Sequence, residues 1–471
     1  MTTSTLILLL IEAIWVAGIG TVIILQRRSA PATIAWVFAL ALMPVVGFIV
    51  YRLIGPLRLE RKKVQRNISR KAVREVLVAQ AALVEESEEH QQLSRVGIEL
   101  GEASPLRAEE VELYVDGASC YAALLAAVAA AQDHIHIEYY IWEPDTIGVQ
   151  LRDALIERAK AGITVRLIVD ATGSNNLDTK FLAPLRAAGV EFAWFNPVRL
   201  GSLRLRRPDF RTHRKIVVID GRIGFTGGMN IADEQSALLS TSYWRDTHLR
   251  ITGAAVWPLQ RLFMEDWYFA AGQLCPVNDQ TYPAPTREGG HLVQVIGSGP
   301  DSAAFAIHKV LFTAVNQCTD RLWMTTPYFV PDEGLLLAIT SAALRDVDVR
   351  LIVPKRGDSR LVDMAARSYF PELLEAGVRI YEYEPRFIHA KTLVCDDDVA
   401  IVGTANLDNR SFRLNFEVNA IVFGQACNAT LADAFTTDLR DSREVIRSEF
   451  DRQPFKARLG QAYARLISPL L

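Results

Sequence analysis

Cysteine is scarce: 471 residues contain five, Cys120, Cys275, Cys318, Cys395 and Cys427. Their odd number, wide spacing and lack of any C-x-x-C pair exclude a disulfide framework and a cysteine zinc site. They read as small buried residues of a reducing compartment. Excess positive charge is also missing, with 51 Lys and Arg against 54 Asp and Glu and a formal net charge of −3. A dedicated nucleic-acid binder is usually basic as a whole, and no interleaved basic and aromatic strands offer bases a stacking surface. Neither a nucleic-acid partner nor a cofactor is therefore expected. No cluster of aspartates on helices would hold a divalent cation, so no metal ligands are assigned. No basic residue precedes the first apolar run, which is long for an h-region and does not read as a cleaved signal peptide.

What is present begins with apolar sequence. Half of the residues are hydrophobic, enough for a large core, and the length suits two or three domains. Thr5 to Leu25 is apolar apart from Glu12, and Ala32 to Tyr51 is a second such run. At roughly 1.5 Å per residue, about 20 residues cross a bilayer core. Residues 1–54 therefore predict a two-span transmembrane helical hairpin, with Pro44 kinking the second span. Glu12, a carboxylate inside a span, is a functional candidate. Arg27 and Arg28 in the connector are outweighed by Arg52, Arg58, Arg61, Lys62, Lys63, Arg66, Arg70 and Lys71. The heavier cluster should stay on the cytoplasmic side, with the rest of the chain and the N-terminus, and it can attract anionic lipid head groups. Residues 57–95 predict one amphipathic helix, basic at its start and acidic at its end, within a linker over 55–105.

From about residue 106 the chain repeats itself. Ile163 to Asp170 (ITVRLIVD) matches Val347 to Pro354 (VDVRLIVP), and Phe181 to Pro197 matches Tyr369 to Pro385. Ile135 to Trp142 (IHIEYYIW) aligns with Leu322 to Phe329 (LWMTTPYF). Short β-branched runs alternate with helical stretches, which is α/β order. The period far exceeds the 20–50 residues of a solenoid. It predicts a duplicated α/β domain, residues 106–285 and 286–471, whose halves pack together.

Each half carries one H-x-K-x-x-x-x-D motif, His213 to Asp220 and His389 to Asp396, 176 residues apart. Each is followed by a Gly-rich turn ending in Asn, Gly227-Gly228-Met229-Asn230 and Gly403-Thr404-Ala405-Asn406. His and Lys at i and i+2 on a strand share a face, while Ile216 and Val218 turn into a core. Two such faces brought together surround one pocket with two imidazoles and two ammonium groups, an arrangement suited to a phosphodiester. Lys215 and Lys391 would neutralise the non-bridging oxygens as charge builds. Asn230 and Asn406 would add hydrogen bonds there. One imidazole would attack phosphorus and the other protonate the leaving alcohol, tasks suited to an ordinary pKa near ~6.5. The candidate catalytic set is His213, Lys215, Asp220, His389, Lys391 and Asp396. A single such motif is weak; two copies at equivalent places in an independently visible repeat are specific.

The duplicated motif resembles the signature of the phospholipase D superfamily, over roughly residues 106–471. The resemblance implies two pseudo-symmetric α/β/α halves and a covalent phosphoryl-histidine. It implies His213 as nucleophile and His389 as general acid, although the residues alone do not separate the two. It also implies downstream carboxylates that orient the imidazoles, Glu417 in the second half and Asp246 in the first. Asp220 and Asp396 then fall to structural roles or to holding the motif lysines. The chain is further similar to bacterial cardiolipin synthases, through Ala35-Trp36, Pro44 to Gly47, Thr325 to Phe329 and Gly403 to Phe412. That family implies transfer between two phosphatidylglycerol molecules at the bacterial cytoplasmic (inner) membrane. Gly228 departs from the family's frequent Ser, and Gln235 from a common aromatic. The Arg-rich stretch Arg204 to Arg211 has no match in the second half; Arg207 and Arg211 are candidates for docking an anionic head group. Hydrolysis, a nuclease activity and transfer to serine or ethanolamine remain rivals on this scaffold; two intact motifs speak against an inactive one.

Overall fold

The computed structural model describes residues 3–25, 30–54, 91–197, 209–284, 290–301 and 305–468. They form two compact units, one within residues 3–54 and the other carrying the repeats. The first contains helices α1 (Thr3–Leu25), α2 (Ala30–Leu42) and α3 (Pro44–Ile54). The expected second span is thus two helices. Proline has no N–H to offer the preceding turn and its ring crowds it, so the chain bends at Met43. The Met43 N–H closes α2 on the Ala39 carbonyl (3.0 Å), and its carbonyl accepts from the Gly47 N–H (2.6 Å) to open α3. Among the described residues no helix is long and apolar enough to cross a membrane, which corrects the expectation of two transmembrane spans. The side chain of Glu12, the basic cluster after α3 and residues 57–90 of the predicted linker helix lie outside the described residues; the helix α4 (Gln91–Glu99) follows them.

The second unit is built on one 15-stranded sheet. The first half contributes β1 (Leu106–Tyr114), β2 (His134–Tyr139), β3 (Thr164–Asp170), β4 (Glu191–Phe195), β5 (Ile216–Ile219), β6 (Ile223–Gly227) and β7 (His248–Gly253). The second contributes β8 (His291–Ser298), β9 (Arg321–Thr325), β10 (Phe329–Val330), β11 (Asp348–Pro354), β12 (Arg379–Tyr383), β13 (Thr392–Cys395), β14 (Val399–Gly403), β15 (Leu407–Asp408), β16 (Glu417–Phe423) and β17 (Ser442–Glu444). The halves join where β1 pairs antiparallel with β8, Leu106 opposite Val293. Outward from that seam the order is β1-β7-β6-β5-β2-β3-β4 on one side and β8-β16-β14-β13-β9-β11-β12 on the other, with β17 at the edge. The sequence repeat is therefore a topological repeat. Among the described residues only β10 and β15 stand apart, as a two-stranded parallel pair.

Strand β5 shows why this segment reads as a continuous apolar run. Ile216 and Val218 enter a core shared with the helix Trp257–Ala271, through Leu259 and Phe263. Val217 and Ile219 enter another, with Leu124 and Leu151 of the helices Gly117–Ala130 and Thr146–Lys160. Helices thus cover both faces of the sheet at β5, which runs antiparallel to its neighbours β2 and β6, and each fully buried aliphatic side chain contributes roughly 1.5–3 kcal/mol.

Candidate active site

The motif histidines and lysines precede their strands. His213 and Lys215 lie in the extended segment leading into β5, and His389 and Lys391 in the one leading into β13. Each lead-in is held by the opposite half. Thr212 forms a parallel bridge with Phe416, and the His213 N–H donates to the Phe416 carbonyl (2.8 Å). Arg245 bridges Ile388, and the His389 N–H donates to the Arg245 carbonyl (2.7 Å).

These bridges place the carboxylates crosswise. His213 Nδ1 donates to Glu417 Oε2 (3.0 Å) and lies 3.1 Å from the Thr404 carbonyl. His389 Nδ1 donates to Asp246 Oδ2 (2.7 Å). Each imidazole is thus oriented by a carboxylate of the other half. With only acceptors around Nδ1, that nitrogen carries the proton and Nε2 is left as the reactive atom. Burial opposes ionisation of Glu417, but His213 and Lys215 hold its pKa below the usual carboxylate range. Burial opposes that of Asp246 too, and His389 and Lys391 again prevail.

Both lysines are buried, and each ammonium donates to the carbonyl of its own motif histidine, Lys215 at 2.9 Å. Burial, then Lys391, pulls the Lys215 pKa down to about 7. Burial pulls Lys391 down to about 8. Burial also lowers His213, and it lowers His389, with Lys391 adding to it, to about 3. Four groups that become cationic on protonation are thus buried in one cluster, and burial is the largest cause of each shift. Tyr140 meets the His213 ring edge-on at 5.0 Å, while Trp244 (5.2 Å) and Phe387 (5.8 Å) flank His389.

The halves are not identical. Thr404 Oγ1 donates to Glu417 Oε2 (2.5 Å), and Asn415 Nδ2 donates to Oε1 (3.2 Å). At the equivalent of Thr404 stands Gly228, where an added Cβ would overlap Asp246 Oδ1. The shorter carboxylate and the missing side chain go together. Asn230 and Asn406 are buried; Asn230 Oδ1 accepts from the Ile141 N–H (3.3 Å) and Asn406 Nδ2 donates to Asp408 (3.1 Å).

Asp220 and Asp396 are not with the histidines. Each sits beyond the far end of its strand at positive φ, 53° and 46°. Asp220 accepts from the N–H groups of Gln132 (2.8 Å), Asp133 (2.8 Å) and His134 (3.0 Å). Asp396 accepts from those of Asp320 (2.8 Å) and Arg321 (3.0 Å). They tie the starts of β2 and β9 to the motif strands and do not reach the motif lysines. Arg207 lies outside the described residues; Arg211 is buried and pairs with Asp170 (3.3 Å).

Sequence reasoning passed over Thr404, Tyr140, Trp244 and Phe387. Thr404 sat inside a motif read only for its Asn, and Trp244 two residues before a carboxylate already chosen. It also missed a buried polar group behind the first lead-in, where Thr212 donates to Glu138 (2.5 Å) and Arg214 pairs with Asp266. Among the described residues, no group of three or more His, Cys, Asp or Glu is arranged to hold a metal.

A family model described as "Cardiolipin synthase, PLD-like domain" matches residues 124–267 and 311–439, and one described as "Phospholipase_D-nuclease N-terminal" matches 13–56. The chain is 40% identical to a cardiolipin synthase of Alkalihalophilus pseudofirmus, covering 96% of this chain and 92% of the relative. It is 41% identical to one of Geobacillus kaustophilus, covering 96% and 91%. The crystal structure of phosphatidylserine synthase from Haemophilus influenzae shares the fold, with a TM-score of 0.61, 15% identity, and 81% of this chain and 100% of that one covered. The chain belongs to the cardiolipin synthase family with phospholipase D-like domains.

Proposed function

We propose that this protein makes cardiolipin, by transferring a phosphatidyl group from one phosphatidylglycerol to another with release of glycerol. The observation that carries the reading is the pair of buried imidazoles, each bonded to a carboxylate of the opposite half, beside two buried lysines. In the first step His213 Nε2 attacks phosphorus, the bond to the glycerol head-group oxygen breaks, and that oxygen takes a proton from His389. In the second, a hydroxyl of another phosphatidylglycerol gives its proton to His389 and attacks phosphorus, which frees His213 and forms cardiolipin. The resemblance supplies this division of roles. Burial favours the neutral form of both imidazoles, which suits attack, and an anionic diester beside His389 raises its affinity for the proton it must donate. Lys215 and Lys391 neutralise the phosphoryl oxygens, and Asn230 and Asn406 fix the turns around them.

The substrates place the enzyme at a membrane. Residues 3–54 are its attachment, and the basic cluster that follows argues for the inner membrane with the catalytic unit on the cytoplasmic side. The test supplies purified protein with phosphatidylglycerol alone and identifies lipids and released glycerol by mass spectrometry. Cardiolipin with equimolar glycerol is expected. Phosphatidic acid without cardiolipin would make water the acceptor and overturn the proposal.

A further inference from the structure

The break at Met43 has a geometric consequence. In one continuous helix Trp36 and Tyr51, fifteen residues apart, would be separated by about 22 Å along the axis. Their ring centroids lie 5.2 Å apart. Ala39 and Gly47 would be about 12 Å apart in such a helix, yet a Cβ added to Gly47 would lie 2.6 Å from the Ala39 carbonyl oxygen. Helix α3 therefore folds back along α2, and glycine at 47 permits the close approach of the two backbones. Trp15 of α1 meets Phe48 of α3 at 5.6 Å, and Leu40, Tyr51 and Ile23 form the small core.

Outside that core the hairpin is apolar on every side. Ile34, Phe38, Leu42, Met43, Val45, Val46 and Ile49 are more than half exposed, and residues 30–51 contain no charged side chain. A protein partner would cover one face; hydrocarbon covers all of them. Exposure peaks beside the bend, 77% at Leu42 and 71% at Val45. The Met43 N–H and carbonyl are both hydrogen-bonded, so the tip carries no unmet backbone group at that residue into lipid. Thirteen residues of α2 and eleven of α3 are about 20 and 16 Å long, roughly half to two thirds of a ~30 Å hydrocarbon core. Trp36, midway along α2, and Tyr51, near the end of α3, pack against each other in the small core and hold the two arms together.

We propose that residues 30–54 form a re-entrant hairpin, entering the bilayer tip first and leaving by the face they entered. This rests on the membrane attachment proposed above. The five native cysteines are buried, so single cysteines can be read on a quiet background. Full-length Ala30→Cys, Met43→Cys and Ile54→Cys would be placed in sealed vesicles of known orientation and treated with a membrane-impermeant maleimide. None of these residues is in the catalytic set, so retained activity verifies folding. The expected result is labelling of positions 30 and 54 from the same side, with position 43 protected until detergent is added. Labelling of 30 and 54 from opposite sides would overturn the re-entrant hairpin in favour of a spanning helix and leave membrane attachment standing. Labelling of 43 in intact vesicles would place the tip in water and refute the re-entrant hairpin, and co-flotation of the protein with the vesicles would then decide membrane attachment separately.

Discussion

Replacing Lys215 with methionine should stabilise the substrate-free protein while removing its activity. The ammonium is buried with Lys391 near it, and its pKa is drawn from 10.5 to about 7. The unfolded chain holds that proton up to its ordinary value, so folding with the charge in place is unfavourable below about pH 7. At roughly 1.4 kcal/mol per pH unit, the gap corresponds to an upper figure on the order of 5 kcal/mol. Methionine matches the stem and carries no charge. Against that stand the lost hydrogen bond to the His213 carbonyl and the contact with the Tyr140 ring at 5.5 Å, roughly 1 kcal/mol each. A net gain of about 2–3 kcal/mol near pH 6.5 is expected, seen as a Tm several degrees higher in thermal unfolding. The sign with pH is fixed: the unfolded state binds more protons between about pH 7 and 10.5, so the native protein gains stability as pH rises through that window and the advantage of the variant shrinks. Turnover should fall at least ~100-fold, the scale of losing one preorganised stabiliser of transition-state charge. A Lys215→Met protein that is less stable near pH 6.5, or equally advantaged at pH 6.5 and 10, would refute the reasoning.

Because the carboxylates are crossed, Glu417→Gln should reproduce the defect of His213 variants, and Asp246→Asn that of His389 variants, each with a loss of roughly 10²–10⁴-fold. Trapping of labelled phosphatidyl adduct would separate the two classes, and the opposite pairing would contradict the geometry. Gly228→Ser should impair the His389 step, since its Cβ would overlap Asp246 Oδ1; wild-type kinetics would show that the loop yields without consequence. As pH rises past about 7 to 8, Lys215 and Lys391 lose their protons in the substrate-free enzyme, so kcat/KM for the anionic donor should fall, and a rise across that interval would refute their role in binding. Chelation of divalent cations should leave turnover nearly unchanged, because the two ammonium groups supply the positive charge; abolition with recovery on adding a cation would overturn this.

Much of the catalytic unit was legible in the sequence. The repeat and its α/β order depend on periodicity within short segments, and each H-x-K spacing is a local property that survives any packing. Tertiary structure decided the partnerships. Glu417 meets His213, 204 positions away, because Phe416 and Thr212 bridge the halves, and pairing across such a distance leaves no mark in local spacing. The same packing gave Asp220 and Asp396, at the far ends of their strands, their partners, the backbone N–H groups at the starts of β2 and β9. It also drew Arg211 out of an apparent surface stretch into a buried pair with Asp170. In the N-terminal unit, hydropathy saw one apolar run at 32–51 but not its fold-back, since a count of apolar residues is the same for a straight helix and a bent one. Pro44 signalled a break; the close approach at Gly47, visible only in three dimensions, determined how far the chain turned.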